Sequence, residues 1–212
     1  MHEDLIKWFF NENGLDREGP PPEAAQAHFH IKLLLENVQL QDVMGDYVLE
    51  SLPEREGALL SEKADIESAA SHVQIIRYMR RGADIMNQQA LVLRALDFED
   101  DIVPEIIRML KTSLNDLFIE LSTRVLAICS KDISEELIEA YEEVRSPYAK
   151  SMILVALGFK ADEQHIPWLV KKFKELKQSF PDGGLCYGAY FALYEMENRF
   201  YSDSNKFRSA LD

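Results

Sequence analysis

Val103-Pro104-Glu105-Ile106-Ile107 opens a stretch, residues 103–193, whose pattern decides the fold. The apolar pair Ile106-Ile107 has counterparts at Ile75-Ile76, Leu137-Ile138 and Leu169-Val170, a period of 31 to 32 residues. Between the pairs a second signal recurs as Ala95-Leu96, Leu126-Ala127-Ile128, Val155-Ala156-Leu157 and Phe191-Ala192-Leu193. One unit of that length cannot bury its apolar faces alone. Two helical patterns per unit therefore predict stacked helix pairs.

Working outward, four pairs are expected. The first starts near Asp65 as N-cap, runs through Tyr78, ends at Arg80-Arg81-Gly82, and has its partner over 83–96. Cations in a last turn and glycine beyond it suit a helix C-terminus. The second opens at Asp100-Asp101 with Pro104 in its first turn, followed by a helix over 115–129. The third covers 133–144 and 147–158, and the fourth 164–178 and 184–197. Pro167 lies two periods after Pro104, and proline early in a helix loses no hydrogen bond. The recurring alanines are expected where neighbouring second helices come close, with Ala156 at such a contact. Ile107 is expected on the inner side of its helix.

Residues 1–65 read as an irregular helical cap, residues 66–198 as the repeats and 199–212 as a C-terminal tail or cap. A short amphipathic helix is expected over 1–13, with Leu5, Trp8 and Phe9 on one face and Asn13-Gly14 as its end. Gly19-Pro20-Pro21-Pro22 is a stiff connector. A second helix over 23–37 turns Ala24, Ala27, Ile31, Leu34, Leu35 and Val38 inward. A third near 41–51 uses Val43, Tyr47, Val48 and Leu52, and Pro53 stops it. Residues 53–65 are charged and poorly periodic. The fold class is all-α: a right-handed α-α superhelix of about four helix pairs behind an N-terminal cap.

Composition agrees. Apolar residues make up 47% of the 212, glycine and proline are sparse at 9 and 8, and Val-Thr alternation is missing. The net charge of −14 repels phosphate backbones and anionic membranes, so nucleic acid and membrane are not expected partners. Residues 1–65 hold 14 acids and 5 bases, an asymmetry that suits either solubility or the steering of a basic partner. Cys129 and Cys186, 57 residues apart, form neither a zinc motif nor a redox pair and read as buried small hydrophobes. Residues 1–10 lack a signal-peptide pattern, and the run 152–159 is too short to span a bilayer. A cytoplasmic protein is expected.

The apolar pairs at 106–107, 137–138 and 169–170, the prolines Pro104 and Pro167, and the string Val155-Ala156-Leu157-Gly158 resemble HEAT-like helical repeats, including those of phycobilisome-lyase type. The resemblance covers 66–198. It implies an armadillo/HEAT superhelix, usually used to bind proteins or peptides. Members of this architecture also attach bilins, excise DNA bases or hydroxylate substrates. The Asp and Arg expected around the turn and early second helix are only partly present: Asp116 is there, whereas the third repeat has Ser146-Pro147-Tyr148. No paired His-Glu iron motif occurs, and the charge is wrong for a DNA glycosylase.

Chemistry-bearing motifs are few. His28 and His30 are two apart and point to different helix faces, while His72 and His165 stand alone. No metal site, cofactor or catalytic residue is predicted. Asp182-Gly183-Gly184 reads as a turn before a helix. Glu135, Glu136, Glu139, Glu142 and Glu143 on one first helix should face Lys171, Lys172, Lys174 and Lys177 on the next. Second helices line the concave face in this architecture. Glu120 and Arg124, four apart, should point there, with the Arg124 head group solvated. Tyr187, Tyr190 and Tyr194 follow helical spacing and form either an aromatic ledge of that groove or cap packing. The leading function is a non-catalytic protein- or peptide-binding scaffold. Its rivals are an accessory lyase or small-molecule-binding protein, and a structural subunit of a larger assembly.

Overall fold

A computed structural model describes residues 1–13, 23–44 and 52–201. The described residues form eleven α-helices and no strand. They are α1 (His2–Glu12), α2 (Glu23–Leu35), α3 (Leu52–Glu67), α4 (His72–Arg81), α5 (Ile85–Leu96), α6 (Glu99–Leu110), α7 (Asp116–Ile128), α8 (Ser134–Glu143), α9 (Pro147–Lys160), α10 (Ile166–Ser179) and α11 (Tyr187–Phe200). Short 3-10 turns occupy Leu40–Val43 and Glu163–His165. None of these helices is long and apolar enough to cross a membrane.

Local sequence accounts for many helix ends. The Asn115 side chain accepts the Phe118 N–H at 2.9 Å, and Ser146 accepts that of Ala149 at 3.2 Å. Gly82, at φ 80°, ends α4 in a conformation that glycine adopts without strain. Ser71, rather than Asp65, caps α4, because α3 runs on through Asp65 to Glu67. Pro53 lies in the first turn of α3 and does not stop a helix. The α3–α5 contact is partly polar, which is why 53–65 lacks an apolar period. Glu62 accepts from the Asp84 N–H and from the Asn87 side chain, and Asn87 also donates to the Leu59 carbonyl.

The core follows the apolar pairs, one member more than the other. Ile75, Ile106, Leu137 and Leu169 are all fully buried. Ile107 and Ile138 are only half-buried, so the expectation for Ile107 is corrected: Ile106 carries the inner position. Pro104 and Pro167 share a sequence period but not a helix position. α6 starts at Glu99, placing Pro104 in its second turn, whereas the 3-10 turn before α10 leaves Pro167 at its second residue.

Second helices touch in succession, α5 to α7 to α9 to α11, and α4, α6 and α8 also touch in succession. Each first helix also packs on its own partner. α9 and α11 approach closely at small residues. A Cβ on Gly158 would lie 2.6 Å from the Ala192 Cα, and Ala156 and Ala192 are fully buried.

The N-terminal helices are laid on this framework. α2 packs against α7, α9 and α11, and α1 against α10 and α11. The inward residues of α1 are Ile6 and Phe9; Trp8 is exposed, with the Lys174 ammonium 5.0 Å from its ring centre. On α2, Ala24, Ala27, His28, Ile31 and Leu33 are buried while Leu35 is exposed. The expected helix near 41–51 is a 3-10 turn as far as Val43. Gly14, the connector at 19–22, Tyr47, Val48 and the tail from 202 onward lie outside the described residues. Of the four lysines expected opposite the α8 acids, Lys172 reaches Glu142 at 2.8 Å. Lys171 pairs with Glu175 on its own helix, and Lys177 lies over Phe173.

Candidate functional site

The predicted site residues stand on α7 and α11, two helices that α2 packs against. At the α7 end, Arg124 is 5% exposed, so the solvated head group expected from sequence is corrected. A helix laid over the face removes it from water. Its Nη1 donates to Gln88 Oε1 at 2.7 Å, and its Nη2 lies 3.9 Å from Glu120. The Arg124 Nε has no hydrogen-bond partner among the described residues. Burial pulls the guanidinium pKa down, opposed by the charge of Glu120. Glu120 accepts the Tyr148 hydroxyl at 2.8 Å. Burial, and then the Glu120 carboxylate, push the Tyr148 phenol upward.

His30 of α2 lines a narrow cavity with Gln88, Gln89 and Arg124. Burial, followed by the Arg124 charge, lowers its pKa from 6.5 to about 4. The unfolded chain therefore takes up a proton near pH 6.5 that the folded chain refuses until about pH 4. Stability contributed here is present at neutral pH and falls as pH drops through that window. Urea midpoints measured from pH 7 to pH 4 should decline less for His30→Gln than for the wild type. Parallel curves would show that His30 is not held beside Arg124.

At the α11 end the three tyrosines separate. Tyr190 is 8% exposed, edge-on to Phe10 at 5.1 Å and 5.9 Å from Phe9, so it anchors α1. Tyr187 is half-buried, 6.0 Å from Tyr190. Tyr194 is 42% exposed, beside Phe10 and His28. The structure thus brings Glu120 and Arg124 together, and the tyrosines together, with α2 spanning between the two groups.

Sequence reading missed Glu195. It is 4% exposed, accepts from the His28 Nε2 at 3.0 Å, and lies 3.5 Å from the Lys32 ammonium. The His28 ring sits among Phe159, Phe191 and Tyr194, with centroids 5.3 to 5.8 Å away. A signal existed: Glu195 falls on the stripe of Ala192 and Met196, and His28 on that of Ala24 and Ile31. An acid and a histidine on buried stripes need each other.

Among the described residues no group of three or more His, Cys, Asp or Glu is placed to hold a metal ion. Cys129 and Cys186 are unpaired and buried, and burial raises both thiol pKa values. The cavity that His30 and Arg124 line measures ≈ 10 Å³, room for about one water. The chain matches no family model, and neither the curated proteins nor the solved structures contain a match to it.

Proposed function

We propose that this protein is a non-catalytic protein- or peptide-binding module of the cytoplasm, built as a HEAT-like α-α superhelix. The observation that carries the reading is α2 itself. The face of α7, α9 and α11 holds a helix through an ion pair at Glu195 and a wall of aromatic rings. That is the chemistry of helix-in-groove recognition, already at work within one chain. The step from second helix to second helix supports the superhelix, and the two unpaired cysteines suit a reducing compartment. The cavity beside Arg124 has room for about one water, so the cluster there acts as a support of the face.

The anchor left accessible is Tyr194, with Glu120 part-exposed at the other end of the face. A partner helix with basic side chains suits this rim on a chain of net charge −14. The test purifies the full chain from its source cells, identifies a co-purifying protein, and titrates it into variants by calorimetry. Tyr194→Ala should weaken binding by more than about 1 kcal/mol while keeping the wild-type melting temperature. Tyr190→Ala should melt early, because that ring holds α1. Full affinity in Tyr194→Ala would remove this face as the partner's site.

A further inference from the structure

A second concave surface lies away from α2. The edges of α8, α9 and α10 enclose an open pocket of ≈ 320 Å³, at the lower end of the range for small-molecule sites. Its wall includes Tyr141, Pro147 and Phe180, its cations are Arg145, Lys150 and Lys172, and two carboxylates, Glu142 and Glu175, also line it. These cations are not equivalent. Lys172 is 8% exposed and already neutralised, with Glu142 at 2.8 Å and Glu175 at 3.1 Å. It holds the wall, its ammonium 5.0 Å from the Tyr141 ring centre and 5.3 Å from that of Trp168. Lys150 lies 4.9 Å from the same Tyr141 ring, and neither it nor the exposed Arg145 has a carboxylate within 4 Å among the described residues. Phe180 stands 38% exposed at the rim.

Two cations with no carboxylate within 4 Å among the described residues, beside the exposed ring of Phe180 and the half-buried Pro147, are complementary to one kind of molecule. We propose that this pocket binds a small organic anion, a phosphate or carboxylate carried on an aromatic body. The anionic group bridges Arg145 and Lys150, whose charges attract it into an otherwise acidic surface. The ring lies against Pro147 and Phe180, where burying its faces adds affinity that a bare ion lacks. This site is independent of the face crossed by α2.

The full chain, labelled with nitrogen-15, is titrated at constant ionic strength with phenyl phosphate, benzoate, inorganic phosphate and benzyl alcohol. Phenyl phosphate or benzoate should give saturable shifts confined to residues 141–150 and 172–180, and the tighter of the two identifies the anionic group. Arg145→Ala and Lys150→Ala should each weaken that binding by roughly tenfold. Phe180→Ala should weaken phenyl phosphate and leave inorganic phosphate unchanged. Should Lys150→Ala fail to fold, the exposed Arg145 decides alone, through Arg145→Ala and the stronger Arg145→Glu. The proposal is overturned if neither aromatic anion saturates, if inorganic phosphate or benzyl alcohol binds as tightly as both of them, or if Arg145→Glu retains wild-type affinity.

Discussion

Gly188→Ala should destabilise the protein by about 3 kcal/mol or more, at the upper end of overpacking costs. A Cβ built on Gly188 would lie 2.0 Å from the Ser151 carbonyl oxygen and 2.6 Å from its Oγ. The obstacle includes backbone of α9, so no rotamer change relieves it. α9 and α11 must separate, and that opens the second close approach, Gly158 against Ala192. Helix propensity acts the other way, favouring alanine by about 1 kcal/mol, and it loses to the clash. Gly57 provides the contrast. It lies within α3 with nothing within 4 Å of the corresponding Cβ, so Gly57→Ala should stabilise by about 0.5–1 kcal/mol. Urea melts of the two variants should move in opposite directions. A wild-type midpoint for Gly188→Ala would mean that α9 and α11 do not cross there.

Glu195→Ala should cost about 3 kcal/mol, because it leaves the buried His28 ring without its partner and deprives Lys32 of its nearest anion. For a chain of this length the loss corresponds to roughly 6–12 °C in melting temperature. Glu195→Gln keeps an acceptor for His28 and should lose less. The double variant His28→Phe/Glu195→Leu should recover part of the loss, since two apolar side chains fit among Phe159 and Phe191. Recovery would show that the pair tolerates burial rather than driving it. If Glu195→Ala melts as the wild type does, α2 is not seated on α11.

Helix existence was legible in the residues because periodicity is a local property. Ile75, Ile106, Leu137 and Leu169 recur at a fixed step and mark where four helices turn inward. Asn115, Ser146 and Gly82 mark ends, since a cap is chemistry between residues two to four apart. α3 was less legible because much of its contact with α5 runs through Glu62 and Asn87, and polar contacts leave no apolar period.

Only the tertiary structure decided what covers each face. The Ala24, Ala27 and Ile31 stripe says that α2 buries one side; it does not say that the side lies on α7, α9 and α11. That placement turned Arg124 from an accessible anchor into a buried support and left Tyr194 at the rim, while α1 covers Tyr190. It also paired His28 with Glu195, 167 residues apart, a contact that no local spacing encodes. The reason is physical. Amphipathic patterning specifies a direction in which a helix loses water, whereas the identity of the surface it meets depends on shape and charge brought together from distant parts of the chain.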